Sequence, residues 1–371
     1  MSQVIKKIDI RQIPNWDHAE QYHTAWNALV TCVFQTYEWN QAWWQSFGAG
    51  HELLLLGAFE DSSLVGIAPF MITHQKFPVP RKTIRFIGSM NYASDYCSFI
   101  TRPDRGDVLN AFGTWLDSHP ELWNELDFFN MVEGSPELAI FQSRFNRNNR
   151  SRFDLRYLCD APTRFLGNPE EDKDLVNRKS LKRHFNWFKN QGELSFGHLE
   201  QKKEILGQLD QFFEQHIGRR SVTEDASQFL DPRQKVFYQS LVETMAPQGW
   251  LKFFAVHLNG VPIAYHIGFE FSGKFYWYKP TFDIQYIKKS PGEVLLKTLF
   301  EYAIDRKLAE FDFTVGNEAF KYRFSNHVRK LYRFRAFRTW AHYALFKTQI
   351  QSRALVRRVL KPQPLPSPTA S

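Results

Sequence analysis

Apolar positions along the chain change period several times, and each change marks an element. Trp26, Leu29, Val30 and Val33 recur at helical spacing, as do Trp39, Trp43, Trp44 and Phe47, which predicts two helices over 17–47. The Trp cluster reads as core. Leu53-Leu54-Leu55-Leu56 is an unbroken apolar run and predicts a buried strand. The turn Glu60-Asp61-Ser62-Ser63 leads to a second strand over 64–72. Pro78-Val79-Pro80 precedes a third over 83–87. A helix is expected over 106–116, a strand over 125–131, a helix over 135–145 and a strand over 153–158. The first half thus reads strand, strand, strand, helix, strand, helix, strand.

The second half repeats that order. Strands over 251–258 and 261–271 flank the hairpin turn Asn259-Gly260. After Ser272-Gly273 comes the aromatic strand Phe275-Tyr276-Trp277-Tyr278. A helix over 291–307, a strand over 310–315, a short helix over 317–324 and a strand over 331–338 complete the series. Helical segments over 174–190, 202–219 and 231–245 lie between the halves. A basic amphipathic helix over 340–360 and a Pro-rich tail over 362–368, expected to be disordered, close the chain. The repetition is of element order; no residue-level repeat is visible.

Composition narrows the class. With 371 residues, two or three domains are expected. A hydrophobic content of 43%, with 35 phenylalanines, supports a large core rather than a disordered chain. Cys32, Cys97 and Cys159 are odd in number and widely spaced, which fits neither a disulfide framework nor a metal site. Without a signal-like N-terminus or an apolar run of membrane length, a cytoplasmic protein is expected. The formal charge of +8 is concentrated at one end. From Lys321 to Ser371 there are twelve Lys/Arg and no Asp/Glu, so the rest of the chain is net acidic. That block suits an anionic partner, and equally a solvated basic helix.

The chemistry concentrates between Lys274 and Phe324. Ser290 suits a helix N-cap and Pro291 the first helical position, while Gly292 lets a ligand approach the free N–H groups there. Lys288 and Lys289 add positive charge. The same residues also describe a plain capped helix. The segment 316–324, Gly-Asn-Glu-Ala-Phe-Lys-Tyr-Arg-Phe, follows the Asp312-Phe313 strand.

Taken together, Ser-Pro-Gly, helix, Asp-Phe strand and Gly-x-x-x-Phe-Lys-x-x-Phe resemble the GNAT acyltransferases. The similarity is to the branch with the CelD-like cellulose-biosynthesis acetyltransferases and the FemABX peptidyltransferases. It is strong over 251–324 and weaker over 51–95. The Gln/Arg-x-x-Gly-x-Gly/Ala loop of ordinary GNAT enzymes is missing, so the resemblance bears on the fold more than on the donor. It implies an α+β fold of two tandem GNAT-like domains, each a mixed sheet flanked by helices. Residues 1–160 would be a degenerate, acceptor-side domain. Residues 161–345 would be the acyltransferase domain with a basic helical insertion at 174–246, and 346–371 a basic helix and tail.

The implied reaction is direct attack of an amine on acetyl-CoA or another acyl-CoA, with no metal and no covalent enzyme intermediate. Lys321 matches the lysine held to stabilise the developing oxyanion in FemABX enzymes; its plain alternative is an ion pair with Glu318 at helical spacing. Tyr322 is a candidate general acid. Asp95, in the passage Gly88-Ser89-Met90-Asn91-Tyr92-Ala93-Ser94-Asp95-Tyr96, and Asp283 are candidates for orienting or deprotonating the amine. Lys288, Lys289, Ser290, Pro291 and Gly292 would hold the donor's pyrophosphate. A small amine acceptor is expected, with an anionic membrane surface as a further partner of the last helix. Aminoacyl-tRNA is the donor in the alternative, FemABX-like reading, and a non-catalytic accessory of exopolysaccharide synthesis is the third.

Overall fold

The computed structural model describes residues 7–76, 79–147, 150–223 and 225–359. The Pro-rich tail lies outside them. Twelve main strands run β1 (Asp9–Ile13), β2 (Glu52–Glu60), β3 (Ser63–Gln75), β4 (Arg81–Phe86), β5 (Glu125–Val132), β6 (Phe153–Phe165), β7 (Leu194–Leu199), β8 (Leu251–Leu258), β9 (Val261–Phe271), β10 (Lys274–Phe282), β11 (Glu310–Asp312) and β12 (His327–Phe337). The main helices are α1 (Tyr37–Phe47), α2 (Gly106–Ser118), α3 (Pro136–Phe145), α4 (Lys179–Lys189), α5 (Lys202–Arg220), α6 (Pro232–Met245), α7 (Pro291–Asp305), α8 (Ala319–Phe324) and α9 (Trp340–Val359).

All twelve strands join one mixed sheet, in the order β1-β2-β3-β4-β5-β12-β6-β11-β10-β9-β8-β7. The two-residue strand Ile100–Thr101 adds a thirteenth beside β3. The order is palindromic. Each half presents an edge strand, an antiparallel three-strand run and then a parallel neighbour, β4–β5 on one side and β10–β11 on the other. The two tandem units expected from the element order are therefore present, fused edge to edge. Each is completed by the other's strand: β12 pairs with β5, and β6 with β11. The two exchanged strands pair antiparallel with each other at the centre. Residue 160, the expected boundary, lies inside β6.

Alternation along the strands decides the layers. In β2, Leu55 points to one face, and Leu54 and Leu56 to the other. In β10, Tyr276 and Tyr278 share the face of Leu55, while Phe275 and Trp277 take the opposite one. Helices α1, α5 and α6 cover the first face across both halves, with Trp39 edge-on to Phe237 at 5.4 Å. On the second face, α2 and α3 cover the first half, and α4 and α7 the second. Trp26, Trp39 and Trp43 are fully buried, so the Trp cluster is core as expected.

Several elements differ from the sequence reading. The expected 174–190 helix is two, Pro169–Val176 and α4, broken at Asn177-Arg178. Strands β1 and β7 escaped notice because both are sheet edges: β1 is mostly polar and exposed, and β7 has only partly buried and exposed positions. Leu360, the expected end of the last helix, lies outside the described residues. A residue-level repeat does exist: Glu125-Leu126-Asp127 and Glu310-Phe311-Asp312 open the parallel pairing at equivalent places in the two halves.

Candidate active site

Strands β10 and β11 pair only over Lys274–Tyr276 and Glu310–Asp312. Beyond that, β10 runs on to Phe282 while the chain after β11 turns away. Thr314 takes φ 57° and Gly316 φ 137°. Parallel strands that part at their carboxyl ends leave a crevice where ligands commonly bind. Here it is a cavity of about 850 Å³. Its floor is Trp277, Lys279, Thr314 and Val315. Gly292 and Leu296 of α7 form one wall, and the connection between α5 and α6 forms another. The loop over 91–95 from the first half closes it.

Lys321 and Asp95 meet in this cavity. Lys321 is 4% exposed on α8; its Nζ donates to the Val315 carbonyl at 2.6 Å and pairs with Glu318 Oε2 at 3.1 Å. An ammonium has three donors, so one N–H is left for a ligand in the cavity that Lys321 lines. The ion pair to Glu318 and the place in the cavity coexist. Asp95 is 7% exposed. Burial raises its carboxyl pKa. Lys279, the Thr314 hydroxyl, Lys321 and the Val315 N–H oppose that rise. The structure puts Asp95 inside because Trp39 Nε1 donates to Ser94 Oγ at 2.8 Å and Asn130 Nδ2 to the Ser94 carbonyl at 3.1 Å.

The cavity also holds groups that the sequence reading passed over. Lys279 ends the aromatic strand; burial lowers its ammonium to about 8, against the pull of Asp95 and with the repulsion of Lys321 and Arg220. Arg219 and Arg220 end α5. Arg219 donates to the Pro280 carbonyl at 2.8 Å and lies over the Phe282 ring, and burial lowers it to about 10. His216 is buried against Ser227 Oγ at 2.8 Å and is held neutral, pushed down to about 3 by burial and then by Lys279 and the two arginines. The basic end of the predicted 202–219 helix, followed by an aromatic strand ending in lysine, was the available signal.

The remaining predicted residues divide. Ser290 and Gly292 line the cavity, and Pro291 is buried at the first position of α7. Ser290 takes φ 54° and makes no side-chain cap, so its hydroxyl does not compete for the helix's first N–H groups. Gly292 is not required by backbone conformation, since a Cβ would meet only Phe282 at 3.6 Å. Lys288 and Lys289 lie outside the lining; Lys289 Nζ sits 4.8 Å over the Trp187 ring. Asp283 caps the short turn before Ser290, accepting from Gln285 N at 2.9 Å, and does not reach the cavity. Tyr322 points elsewhere: it is 38% exposed and donates to Asp160 Oδ2 at 2.6 Å. That bond and its burial raise the phenol further above its ordinary range. Among the described residues no acidic, His or Cys group is arranged to hold a metal ion.

Residues 176–322 match the family model described as acetyltransferase (GNAT) domain. No curated protein matches in sequence. Among solved structures, FemX aligns with a TM-score of 0.61 at 12% identity over 88% of this chain and 97% of its own. The C-terminal domain of a putative lysylphosphatidylglycerol synthetase from Agrobacterium fabrum aligns at 0.56 and 10% identity, over 91% of this chain and 97% of its own. A conserved protein of unknown function from Bacteroides thetaiotaomicron aligns at 0.54 and 11% identity, over 90% and 100%. At these identities the likeness is one of fold.

Proposed function

We propose that this N-acyltransferase, whose residues 176–322 form an acetyltransferase (GNAT) domain, moves an acyl group from acyl-CoA to a small amine within the 850 Å³ cavity. The observation that carries the reading is Lys321, a buried ammonium held by two partners at the crevice where β10 and β11 part. The amine nitrogen attacks the acyl carbon, the C–N bond forms, and the thiolate leaves. Lys321 offers its third N–H to the oxyanion that develops. Asp95, its carboxylate made a stronger base by burial, accepts the proton that the amine loses. Lys279, lowered to about 8, is the proton donor within reach of the cavity for the leaving thiolate. Gly292 and the uncapped start of α7 suit the donor's pyrophosphate.

In this reading residues 1–160 supply the acceptor side through the 91–95 loop, and 161–345 carry the transfer chemistry. Residues 346–371 add the basic helix and tail. No helix among the described residues is long and apolar enough to cross a membrane. Contact of α9 with anionic lipid, led by the half-exposed Trp340, predicts vesicle binding that weakens with salt on the ~8–10 Å screening scale. Binding that salt leaves unchanged would remove the idea.

A second reading takes its support from the likeness to FemX and to the lysylphosphatidylglycerol synthetase domain: an aminoacyl group delivered by aminoacyl-tRNA. Thermal stabilisation separates the two. A donor at a hundred times its dissociation constant adds about 2.7 kcal/mol to the folded state. The first reading expects that from acetyl-CoA; a response to aminoacyl-tRNA alone transfers the case to the second.

A further inference from the structure

The equivalent acids of the two halves live in opposite surroundings. Asp127, 1% exposed, accepts from Arg333 Nε at 2.6 Å and Nη2 at 2.7 Å, and pairs with Arg85 Nη2 at 2.8 Å. These cations hold its carboxyl below the ordinary range despite burial. Asp312 is as deeply buried, at 2% exposed, but its cation is Arg329, 3.5 Å away, and Glu310 stands beside it. Burial lifts Asp312 to about 6. An acid kept only for the fold has no need of that deficit.

Asp312 commits its oxygens to other groups. Both accept from the Tyr96 hydroxyl, at 2.9 and 2.8 Å, and Oδ1 accepts from the Thr314 N–H at 2.7 Å. Each partner leads into the cavity. Tyr96 is the residue after Asp95. Thr314 sits at φ 57°, a conformation that a β-branched residue keeps only when its surroundings enforce it. Its hydroxyl donates to the Trp277 carbonyl at 3.1 Å and helps hold down the rise of the Asp95 carboxyl in the same cavity. The next residue, Val315, favours the ionised Asp95 through its N–H and gives its carbonyl to Lys321 Nζ. Residues 314–315 form a strap with Asp312 behind it and the two candidate reacting groups in front.

We propose that Asp312, acting through Tyr96 and Thr314, is a positioning residue that fixes Asp95 relative to Lys321 for acyl transfer. The proposal rests on the acyl-transfer reading of the cavity. Asp312 itself does not line that cavity; it lies behind the strap, faced by Cys32, by Lys274 and Tyr276 of β10, by Glu310 of its own strand and by Arg329 of β12. Tyr96 also crosses from the first half to the second, so the same bond sets how the 91–95 loop closes the cavity.

Two variants test this in the full chain. Asp312→Asn keeps the size and weakens the acceptor; Tyr96→Phe removes one donor and leaves the carboxylate with Thr314 and Arg329. Hydrogen–deuterium exchange of the peptide containing 313–316 reads the strap without any substrate. It is expected to rise about tenfold in Asp312→Asn, the scale of a lost charge-assisted bond. Acetyl-CoA hydrolysis should fall about a hundredfold in both variants, as for a misplaced reacting group, with the acetyl-CoA dissociation constant by calorimetry within about twofold. Combining the variants should add little to Asp312→Asn alone, because both act on one linkage. Unchanged exchange over 313–316 overturns the proposal. So does loss of affinity in step with rate, or full turnover with the strap loosened. If the parent does not turn over acetyl-CoA, the donor assignment has failed, and the exchange result alone decides whether Asp312 holds the strap.

Discussion

The two halves of the sheet have the same parts and opposite crevices. In the first half, β4 and β5 pair over Thr83–Ile84 and Glu125–Leu126 and then part, as β10 and β11 do. Asn130 takes φ 55° where the second half has Thr314 at 57°. There the likeness stops. The first crevice receives its own loop: the Ser94 N–H donates to the Gly88 carbonyl, the Cys97 N–H to the Asn130 carbonyl, and Gly88 lies so close to Ser94 that a Cβ would meet Oγ at 2.0 Å. A smaller cavity of about 270 Å³ lies where this loop meets the second half, lined by Ser98 and Glu137, which are hydrogen-bonded to each other, and by Tyr276, Asp312 and Arg329. The second crevice stays open at 850 Å³ and carries the lysine. A filled crevice gives up a site and gains an anchor. The anchored loop reaches across to bring Asp95 and Tyr96 to the other half, with the Tyr278 hydroxyl donating to the Ala93 carbonyl at 2.6 Å.

If the first half is scaffold, its buried acid should matter to stability and not to rate. Asp127→Ala leaves Arg85 and Arg333, 27% and 30% exposed, without their carboxylate, a loss expected at about 1–3 kcal/mol. Urea denaturation should show that loss, with activity per folded molecule unchanged. A fall in specific activity beyond the unfolded fraction would erase the division of labour.

The second half should show the reverse. Lys321→Ala is expected to lower turnover by roughly 10²–10³, the scale for one oxyanion donor, with little change in donor affinity. Lys321→Arg should rescue poorly, since a planar fork does not replace a compact ammonium held between Val315 and Glu318. Glu137→Ala, in the smaller cavity, should leave the rate at the parent's value. Melting of Lys321→Ala at unchanged specific activity would make the lysine a structural partner.

How much of this contrast was readable beforehand follows from what each half needs. The repeated element order was legible because hydrophobic period reports elements well, and Lys321 was legible because its motif is local. Tyr322 and Asp283 are equally local and do not reach the cavity; spacing along the chain does not say which side of a short helix or turn faces it. Lys279, Arg219 and Asp95 come together only through contacts between residues more than a hundred positions apart or on different elements. The strand exchange was hidden because pairing of β12 with β5 leaves no mark on either strand's own pattern.

A smaller effect sharpens the donor side. Gly292→Asp places a carboxylate at the start of α7, where the helix itself accepts it, so the variant should fold. Acetyl-CoA binding should weaken about tenfold, or 1.4 kcal/mol, read by calorimetry. Equal affinity would move the pyrophosphate away from α7.

The subtlest difference is in pH. Asp127 is depressed, so its contribution is present above its unfolded value of about 4 and is lost as pH falls through the lower folded value. Asp312 is raised to about 6, so its contribution is full below about 4 and is lost as pH rises to about 6. Chemical denaturation across pH 3–7 should show Asp312→Asn flattening the upper window and Asp127→Asn the lower. Identical profiles for both would contradict the distinction drawn between the two acids.

The central claim is that the open crevice, and not the filled one, takes the acyl donor. A crystal structure of the full chain grown with acetyl-CoA tests it most directly. The account predicts the acyl end between Trp277 and Lys321, with the pyrophosphate at Ser290–Gly292. Acetyl-CoA seated in the smaller cavity beside Ser98 and Glu137, or anywhere apart from Lys321, would contradict it.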